Sequence, residues 1–282
     1  MTYLFSIGAA ALYGAADFIG GLATRRSGAL AVVLVSQAAG LLPLGLSVAL
    51  LPPFSPTQAD LLWGAGAGLT GGVGVLLLYR ALAIGTMAVV APITAVTAVV
   101  IPVVVSLLFG QRPEDQALAG IVVAPVSIVL VSGQEGARPA DGGRLPPGVG
   151  TALGSGVAIG FLFLMLGQTG TASGLWPVVA ARSVSVVLVG TIAIAGRQTI
   201  RMPGRVAALT VGAGVIDAVA NALYVLAAQQ GPLAVVVTLA SLYPASTVLL
   251  ARVVLRERLS PRQTAGVVLA LAAVVLIVSA GR

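Results

Sequence analysis

The sequence predicts an all-α integral membrane protein with ten transmembrane helices in two inverted five-helix repeats. Three observations lead to this fold class. The 282-residue chain is 58% hydrophobic and only 8% charged, whereas soluble domains carry about 25% charged residues. Apolar stretches of helix length recur from one end of the chain to the other. A constant offset relates the two halves of the chain, with Gly8 matching Gly154 and Gly14 matching Gly160.

Each predicted span approaches the roughly 20 apolar residues that a helix needs to cross a bilayer. Breakers separate the spans, among them Pro52-Pro53, Gly110 with Pro113, and Ser260-Pro261. The predicted spans are Tyr3–Ala23, Ala29–Leu51, Leu61–Ile84, Met87–Phe109, Gln116–Ser132, Gly148–Gly167, Leu175–Ala195, Val206–Ala228, Leu233–Leu255 and Thr264–Ala280.

A long polar stretch, GQEGARPADGGRLPPG, divides the chain near its middle. We therefore expect a first five-helix repeat at 1–135, a linker at 136–147 and a second repeat at 148–282. The offset that relates Gly8 to Gly154 also aligns Gly85 with Gly231 and the GAG at 66–68 with the GAG at 212–214. Because each repeat holds an odd number of spans, the second copy is predicted to lie upside down relative to the first.

The basic residues are all arginines, and they predict the orientation of the chain. The net charge is +7, but nearly all arginines stand at the ends of apolar runs, as expected at a membrane interface rather than at a nucleic-acid surface. Most of them fall in odd-numbered loops. The positive-inside rule therefore predicts a multi-pass protein of the plasma membrane with odd loops cytoplasmic and both termini outside.

The sequence lacks cysteine and histidine, so it predicts no disulfide, histidine metal site or haem ligation. It also contains no GxxxxGK[ST] motif for nucleotide binding. We expect no cofactor, no metal and no enzymatic activity. The expected partners are a small-molecule substrate and the lipid bilayer. We expect no nucleic-acid partner, and the sequence leaves open whether the chain forms a homodimer.

Two aspartates, Asp17 and Asp217, fall near the middle of predicted spans. A carboxylate there costs about 2.5–3.5 kcal/mol on insertion scales, so it should face the bundle interior or water. Helical spacing places Tyr13 beside Asp17, and Asn221 and Tyr224 beside Asp217. We interpret both faces as parts of a translocation site, with a purely structural role for each aspartate as the alternative.

Arg182 is a third charge inside a predicted span, and either a structural ion pair or a contact to a substrate carboxylate would explain it. An aspartate that pairs with Arg182 would stay ionised and carry protons poorly. The unpaired one would then be the candidate for proton coupling.

Glycines and prolines inside the predicted spans also predict how the helices pack and where they bend. Gly64, Gly68 and Gly72 repeat at four residues and predict close helix packing, with a cavity wall as the alternative. Pro92 and Pro244 fall inside the fourth and ninth spans. They predict helix kinks, and broken helices at a repeat interface often mark a substrate site.

The second half resembles the EamA family of the drug/metabolite transporter superfamily, most clearly in SLYPASTVLLARVVLRERLSPRQTAGVVLALAAVVLIVS, residues 241–279. Pro244, Glu257 and Gly266 stand where that family has a proline, a glutamate and a glycine. The first half departs from the pattern, with Ala98 and Gln111 at the matching positions. The resemblance implies export or exchange of small metabolites such as amino acids through a cavity between the halves.

Three functions are weighed on these grounds. A secondary transporter, driven by a proton gradient or by substrate exchange, accounts for the repeats and the intramembrane charges. An intramembrane aspartyl protease would need Asp17 and Asp217 to share a proton, but the contexts AAD and GVID do not match such enzymes. A passive channel or scaffold would tolerate Asp→Asn at both positions. The transporter hypothesis predicts that either change spares insertion and abolishes coupled transport.

Overall fold

The computed structural model describes residues 1–50, 54–108, 115–132, 146–230, 239–240 and 242–279. Helices account for most of this described part, and a short 3₁₀ turn lies at Thr171–Ser173. The α-helices are α1 Thr2–Thr24, α2 Ala29–Leu50, α3 Gln58–Ile84, α4 Met87–Leu108, α5 Asp115–Ser132, α6 Val149–Leu166, α7 Trp176–Ala195, α8 Gly204–Gln230, α9 Tyr243–Val254 and α10 Pro261–Ser279.

Within the described part of the chain, six helices are long and apolar enough to cross a membrane: α1, α2, α3, α6, α7 and α8. Shorter apolar segments lie at Met87–Ile101, Tyr243–Val254 and Pro261–Leu276. The predicted polar linker falls largely on residues 133–145, and the predicted start of the ninth span falls on 231–238. Both therefore lie outside the described residues.

Two helices begin three residues earlier than the hydropathy pattern predicts, because polar side chains cap their first turns. α3 starts at Gln58, where the Thr57 hydroxyl accepts from Asp60 N and Asp60 Oδ2 accepts from Thr57 N at 2.8 Å. α10 starts at Pro261, where Ser260 Oγ accepts from Gln263 N. These capping boxes satisfy backbone donors that an apolar window cannot see.

The most extensive helix packing joins a helix before residue 133 to one after residue 145. The pairs are α1–α8, α3–α6, α3–α7, α2–α8, α4–α6, α1–α9, α2–α7, α4–α10 and α5–α10. If the two halves are equivalent, α1 corresponds to α6, α2 to α7, and so on to α5 and α10. Under this exchange the pair α1–α8 becomes α3–α6, α3–α7 becomes α2–α8, and α4–α6 becomes α1–α9. A two-fold axis between two five-helix units would produce these exchanges, whereas α4–α10 has no counterpart α5–α9 among the pairs above.

Glycine contacts repeat with the sequence offset. A Cβ built on Gly8 would lie 3.3 Å from Leu223 Cδ1, and one built on Gly154 would lie 3.6 Å from Leu77 Cδ1. The two leucines differ in number by 146, as do the two glycines. The offset found in the sequence therefore matches equivalent packing positions.

The glycine stripe on α3 lies against α7. A Cβ on Gly64 would come within 2.8 Å of Pro177 Cα, one on Gly68 within 2.9 Å of Ala181 Cα, and one on Gly72 within 2.8 Å of Ser185 Oγ. The stripe is therefore a packing face, as predicted, and not a cavity wall.

Polar contacts join the two halves of the chain at both ends of the bundle. At one end, here called the Arg25 end, Arg25 Nη2 donates to Gly85 O at 3.2 Å and pairs with Glu257 Oε1 at 3.4 Å. At the opposite end, the Asp60 end, Gly170 N donates to Asp60 Oδ1 at 2.8 Å, and Ser55 N donates to Ala172 O. Counted between the predicted spans, the loops at the Arg25 end are odd-numbered and the loops at the Asp60 end are even-numbered.

Candidate functional site

Asp17 and Asp217 lie near the middle of α1 and α8, two helices that pack extensively against each other. Both carboxylates are partly buried. The structure therefore brings the two sequence-predicted polar faces together between helices from opposite halves of the chain.

Asp217 forms an ion pair with Arg182 of α7, through Asp217 Oδ2 and Arg182 Nη2. The arginine is 8% exposed and the aspartate 30% exposed. Asn221, one turn later on α8, donates from Nδ2 to the same Oδ2 at 3.2 Å. Arg182 therefore pairs with Asp217, the contact that the ion-pair alternative predicts.

Two glycines make the space that this ion pair occupies. A Cβ on Gly40 of α2 would overlap Arg182 Nη1, and it would lie 2.8 Å from Gly214 O. A Cβ on Gly214 of α8 would lie 2.9 Å from Ser36 Cα. The close approach of α2 and α8 at these glycines allows Arg182 to reach Asp217 from α7.

A short hydrogen-bond chain links α1 to this pair. The Tyr13 hydroxyl donates to Asn221 Oδ1 at 3.0 Å, and Asn221 Nδ2 donates to both Asp217 O and Asp217 Oδ2. Tyr13 lies one turn before Asp17 on α1. The chain therefore couples the surroundings of the two aspartates without joining the carboxylates themselves.

Asp17 has no such partner. Among the described residues, its carboxylate forms no hydrogen bond and no ion pair. One turn before it, Gly14 lies against α9, where the Thr247 hydroxyl donates to Gly14 O at 3.1 Å. One turn after it, Gly20 lies against the Tyr79 ring of α3. Asp17 therefore lies between α9 and α3 on the inward face of α1.

Tyrosine rings surround this face. Tyr13 and Tyr243 pack edge to face with ring centroids 6.5 Å apart. The Tyr79 ring lies against Gly20 on the same face. Tyr224, which the sequence placed on the polar face of α8, is partly buried one turn after Asn221.

Tyr79 and Tyr243 were not among the sequence-predicted site residues. Tyr79 precedes Arg80 near the end of a span and resembles an interfacial residue, although it is buried at 4% exposed. Tyr243 immediately precedes Pro244, so a search for aromatic residues beside span-interrupting prolines would have found it.

The two prolines occupy different positions. Pro92 is buried inside α4, where it stays the candidate for a kink. Pro244 is buried in the first turn of α9, where a proline sacrifices no helix hydrogen bond. The residues that would precede it in the predicted span, 231–238, lie outside the described part of the chain.

Glu257 caps a helix from the opposite half. Its two carboxylate oxygens accept from Met87 N at 3.2 Å and Ala88 N at 3.0 Å, at the start of α4. Arg256 has a positive φ of 54°, and Glu257 N donates to Ala251 O, closing the end of α9. That turn aims the carboxylate at the positive end of the α4 dipole.

Metal binding has no support in the described residues, which contain no group of three or more metal-ligating acidic, histidine or cysteine side chains. A protease dyad is also unsupported, because the contacts of Asp217 Oδ2 are to Arg182 and Asn221 and no hydrogen bond joins Asp217 to Asp17 among the described residues. What the cluster can do is neutralise one carboxylate and leave the other available to a ligand or a proton.

Comparison with known proteins places this geometry in a family. A family model described as the EamA-like transporter family matches residues 1–133 and again residues 146–279. No curated protein matches the chain.

Solved structures support the fold. One, titled only as the crystal structure of a protein, matches with a TM-score of 0.63 at 18% sequence identity. The match covers 98% of this chain and 94% of the other. At that identity the likeness extends to the fold alone.

Proposed function

The chain belongs to the EamA-like transporter family, and from that premise we propose that it is a proton-coupled secondary transporter that exports or exchanges small metabolites such as amino acids. The single observation that carries this proposal is the Asp17 carboxylate, which has no hydrogen bond or ion pair within the described residues and lies on a helix packed against helices of both halves. An ionisable group inside a membrane bundle is costly to keep, and it commonly marks a substrate or proton pathway.

Alternating access is the mechanism that the helix packing supports. Six of the most extensive pairings convert into one another when each helix is exchanged for the one five places away, and this supports inverted repeats that rock about a central site. Asp17 of α1 and Asp217 of α8 lie at the contact between a helix of each repeat. Opening at either end would break different contacts: Arg25–Glu257 at one, and Asp60–Gly170 at the other.

Asp17 takes the role of proton carrier in this proposal. Asp217 is held by a guanidinium and by the Asn221 amide, so its charge is already balanced. Asp17 has no cation beside it among the described residues. A carboxylate can then bind a proton in one conformation and a substrate in the other, which couples the two fluxes.

The orientation proposed places the Arg25 end in the cytoplasm of a plasma-membrane protein, with both termini outside. The gathering of Arg25, Gly85 and Glu257 at one end supports the odd-loop assignment. The positive-inside rule then gives the side. The proposal leaves open whether the protein forms a homodimer.

The test is proton movement in proteoliposomes that contain a pH-sensitive dye. Amino acids, nucleosides, sugars and lipophilic cations are added one at a time to wild type, Asp17→Asn and Asp115→Asn. Asp115 is an exposed carboxylate at the start of α5 and makes a matched control.

We expect a saturable, substrate-specific proton signal in wild type and in Asp115→Asn, with loss of that signal in Asp17→Asn. Wild-type signals in Asp17→Asn would contradict proton coupling through Asp17. Absence of both proton signals and isotope counterflow for every compound would contradict the transporter proposal.

A further inference from the structure

The charges of the central cluster do not sum to zero. Arg182 and Asp217 cancel each other, and Asp17 remains as a single negative charge. The other charged side chains of the described residues lie in loops or within about one turn of a helix end. Ionised Asp17 therefore makes the centre of the bundle net negative.

The surroundings of Asp17 add aromatic rings to this negative charge. Along one face of α1, Gly14 lies against α9 at Tyr243 and Gly20 lies against the ring of Tyr79, with Asp17 between them. The Tyr13 ring contacts the Tyr243 ring on the same side. Tyrosine faces attract cations through the quadrupole of the ring, so the rings and the carboxylate favour the same kind of ligand.

Arg182, the one cation that the described residues place in the cluster, is not available to a substrate carboxylate. Arg182 is almost fully buried, pairs with Asp217, and has Gly40 packed against its guanidinium. A zwitterionic or anionic substrate would have to displace Asp217 or place its own carboxylate near that of Asp17. Like charges at close range in a low-dielectric site oppose both arrangements.

We infer that the substrate bound beside Asp17 is an organic cation, a protonated amine or quaternary ammonium without a carboxylate of its own. This inference rests on the proposed function and narrows it, because amino acids carry both charges. The ammonium group would lie against the Asp17 carboxylate, with Tyr13, Tyr79 and Tyr243 around its apolar part. Proton and substrate would compete for the same carboxylate, so that release of one accompanies binding of the other.

The experiment compares compounds that share a carbon skeleton and differ in charge. Three matched pairs are used: phenylethylamine with phenylalanine, cadaverine with lysine, and agmatine with arginine. Tetraethylammonium and phenylacetate complete the set. Proton movement and isotope counterflow are measured in proteoliposomes with wild type, Asp17→Asn and the control Asp115→Asn, and ligand-induced thermal shift is measured in detergent.

We expect at least one amine to produce saturable signals at least ten-fold more effectively than its matched amino acid, or tetraethylammonium to produce a saturable signal. Asp17→Asn should weaken that response ten-fold or more, and Asp115→Asn should leave it unchanged. Phenylacetate should produce none.

Each other outcome overturns the inference. A response to amino acids equal to or greater than that to the matched amines would refute it and leave the proposed transporter intact. A response to amines that persists in Asp17→Asn would show that the cation binds elsewhere. No response to any cation would also overturn it, and counterflow with a broader metabolite set would then decide whether the proposed function stands.

Discussion

Asp17 and Asp217 both lie inside long apolar helices, but their surroundings differ. Asp217 has an arginine and an asparagine on its carboxylate, whereas Asp17 has no hydrogen bond or ion pair within the described part of the chain. Asp217 is therefore part of the packing between α2, α7 and α8. No described residue offsets the cost of the Asp17 charge, so it is the one to examine for function.

The first and largest expected effect tests this difference directly. Asp217→Asn leaves the buried Arg182 guanidinium without a counter-ion and should lower the free energy of unfolding by about 2–5 kcal/mol. Asp17→Asn removes an uncompensated carboxylate and should leave stability unchanged or raise it. Denaturant titration in mixed micelles measures both.

A double variant separates the ion pair from the rest of the site. Arg182→Leu with Asp217→Leu should recover most of the stability lost in Asp217→Asn, since replacing both partners leaves no unpaired charge. Equal destabilisation by Asp17→Asn and Asp217→Asn would remove the distinction between the two aspartates.

The second expected effect concerns the space around the paired aspartate. Gly40→Ala would push a methyl group into Arg182 Nη1 and toward Gly214 O, and it should cost about 1–3 kcal/mol. Gly45→Ala on the same helix meets nothing within 4 Å and should be neutral or stabilising, since alanine is the better helix former. Similar unfolding curves for the two variants would show that α2 does not need close contact at Arg182.

The sequence predicted more of the helices and their packing than of the contacts within the candidate site. Apolar length predicted the spans, and the offset of 146 predicted equivalent packing for Gly8 and Gly154, because close approach of two helices requires small residues at fixed positions. The early starts of α3 and α10 were missed because capping boxes involve polar side chains outside the apolar runs.

The polar contacts depend on where the two halves differ. The offset matches Arg182 with Ser36, Asp217 with Gly71, and Asp17 with Phe163. A repeat therefore cannot predict which charges meet. Helical periodicity assigned Asp17 and Asp217 to inward faces, but the choice of Asp217 as the partner of Arg182 depends on the crossing of three helices. Sequence spacing carries no information on that crossing.

The third expected effect compares the buried ion pair with a more exposed one. The Arg25–Glu257 pair has side chains 30% and 14% exposed, and Glu257 also caps α4. Glu257→Leu should cost about 1–2 kcal/mol by leaving two helix donors uncapped. Glu257→Gln keeps a carbonyl acceptor and should cost roughly half as much.

The same variants test the role of this end of the bundle in transport. If the pair holds the Arg25 end closed, Glu257→Leu should change the transport rate more than the substrate affinity, and trypsin should reach Arg25 more readily. A loss of stability as large as that of Asp217→Asn would contradict the expected rank of buried over exposed pairs.

The smallest expected effect concerns Tyr13, which connects the two aspartate environments. Tyr13→Phe removes the hydrogen bond to Asn221 Oδ1 and keeps the ring that packs on Tyr243. Stability should fall by about 0.5–1.5 kcal/mol, because the Asn221 carbonyl loses its donor while Asn221 still donates to Asp217. If the hydrogen-bond chain only supports Asp217, proton coupling should persist. If proton-coupled transport is lost in Tyr13→Phe while stability falls no further than expected, Asp17 and Asp217 act as one unit, and the division of roles between them is wrong.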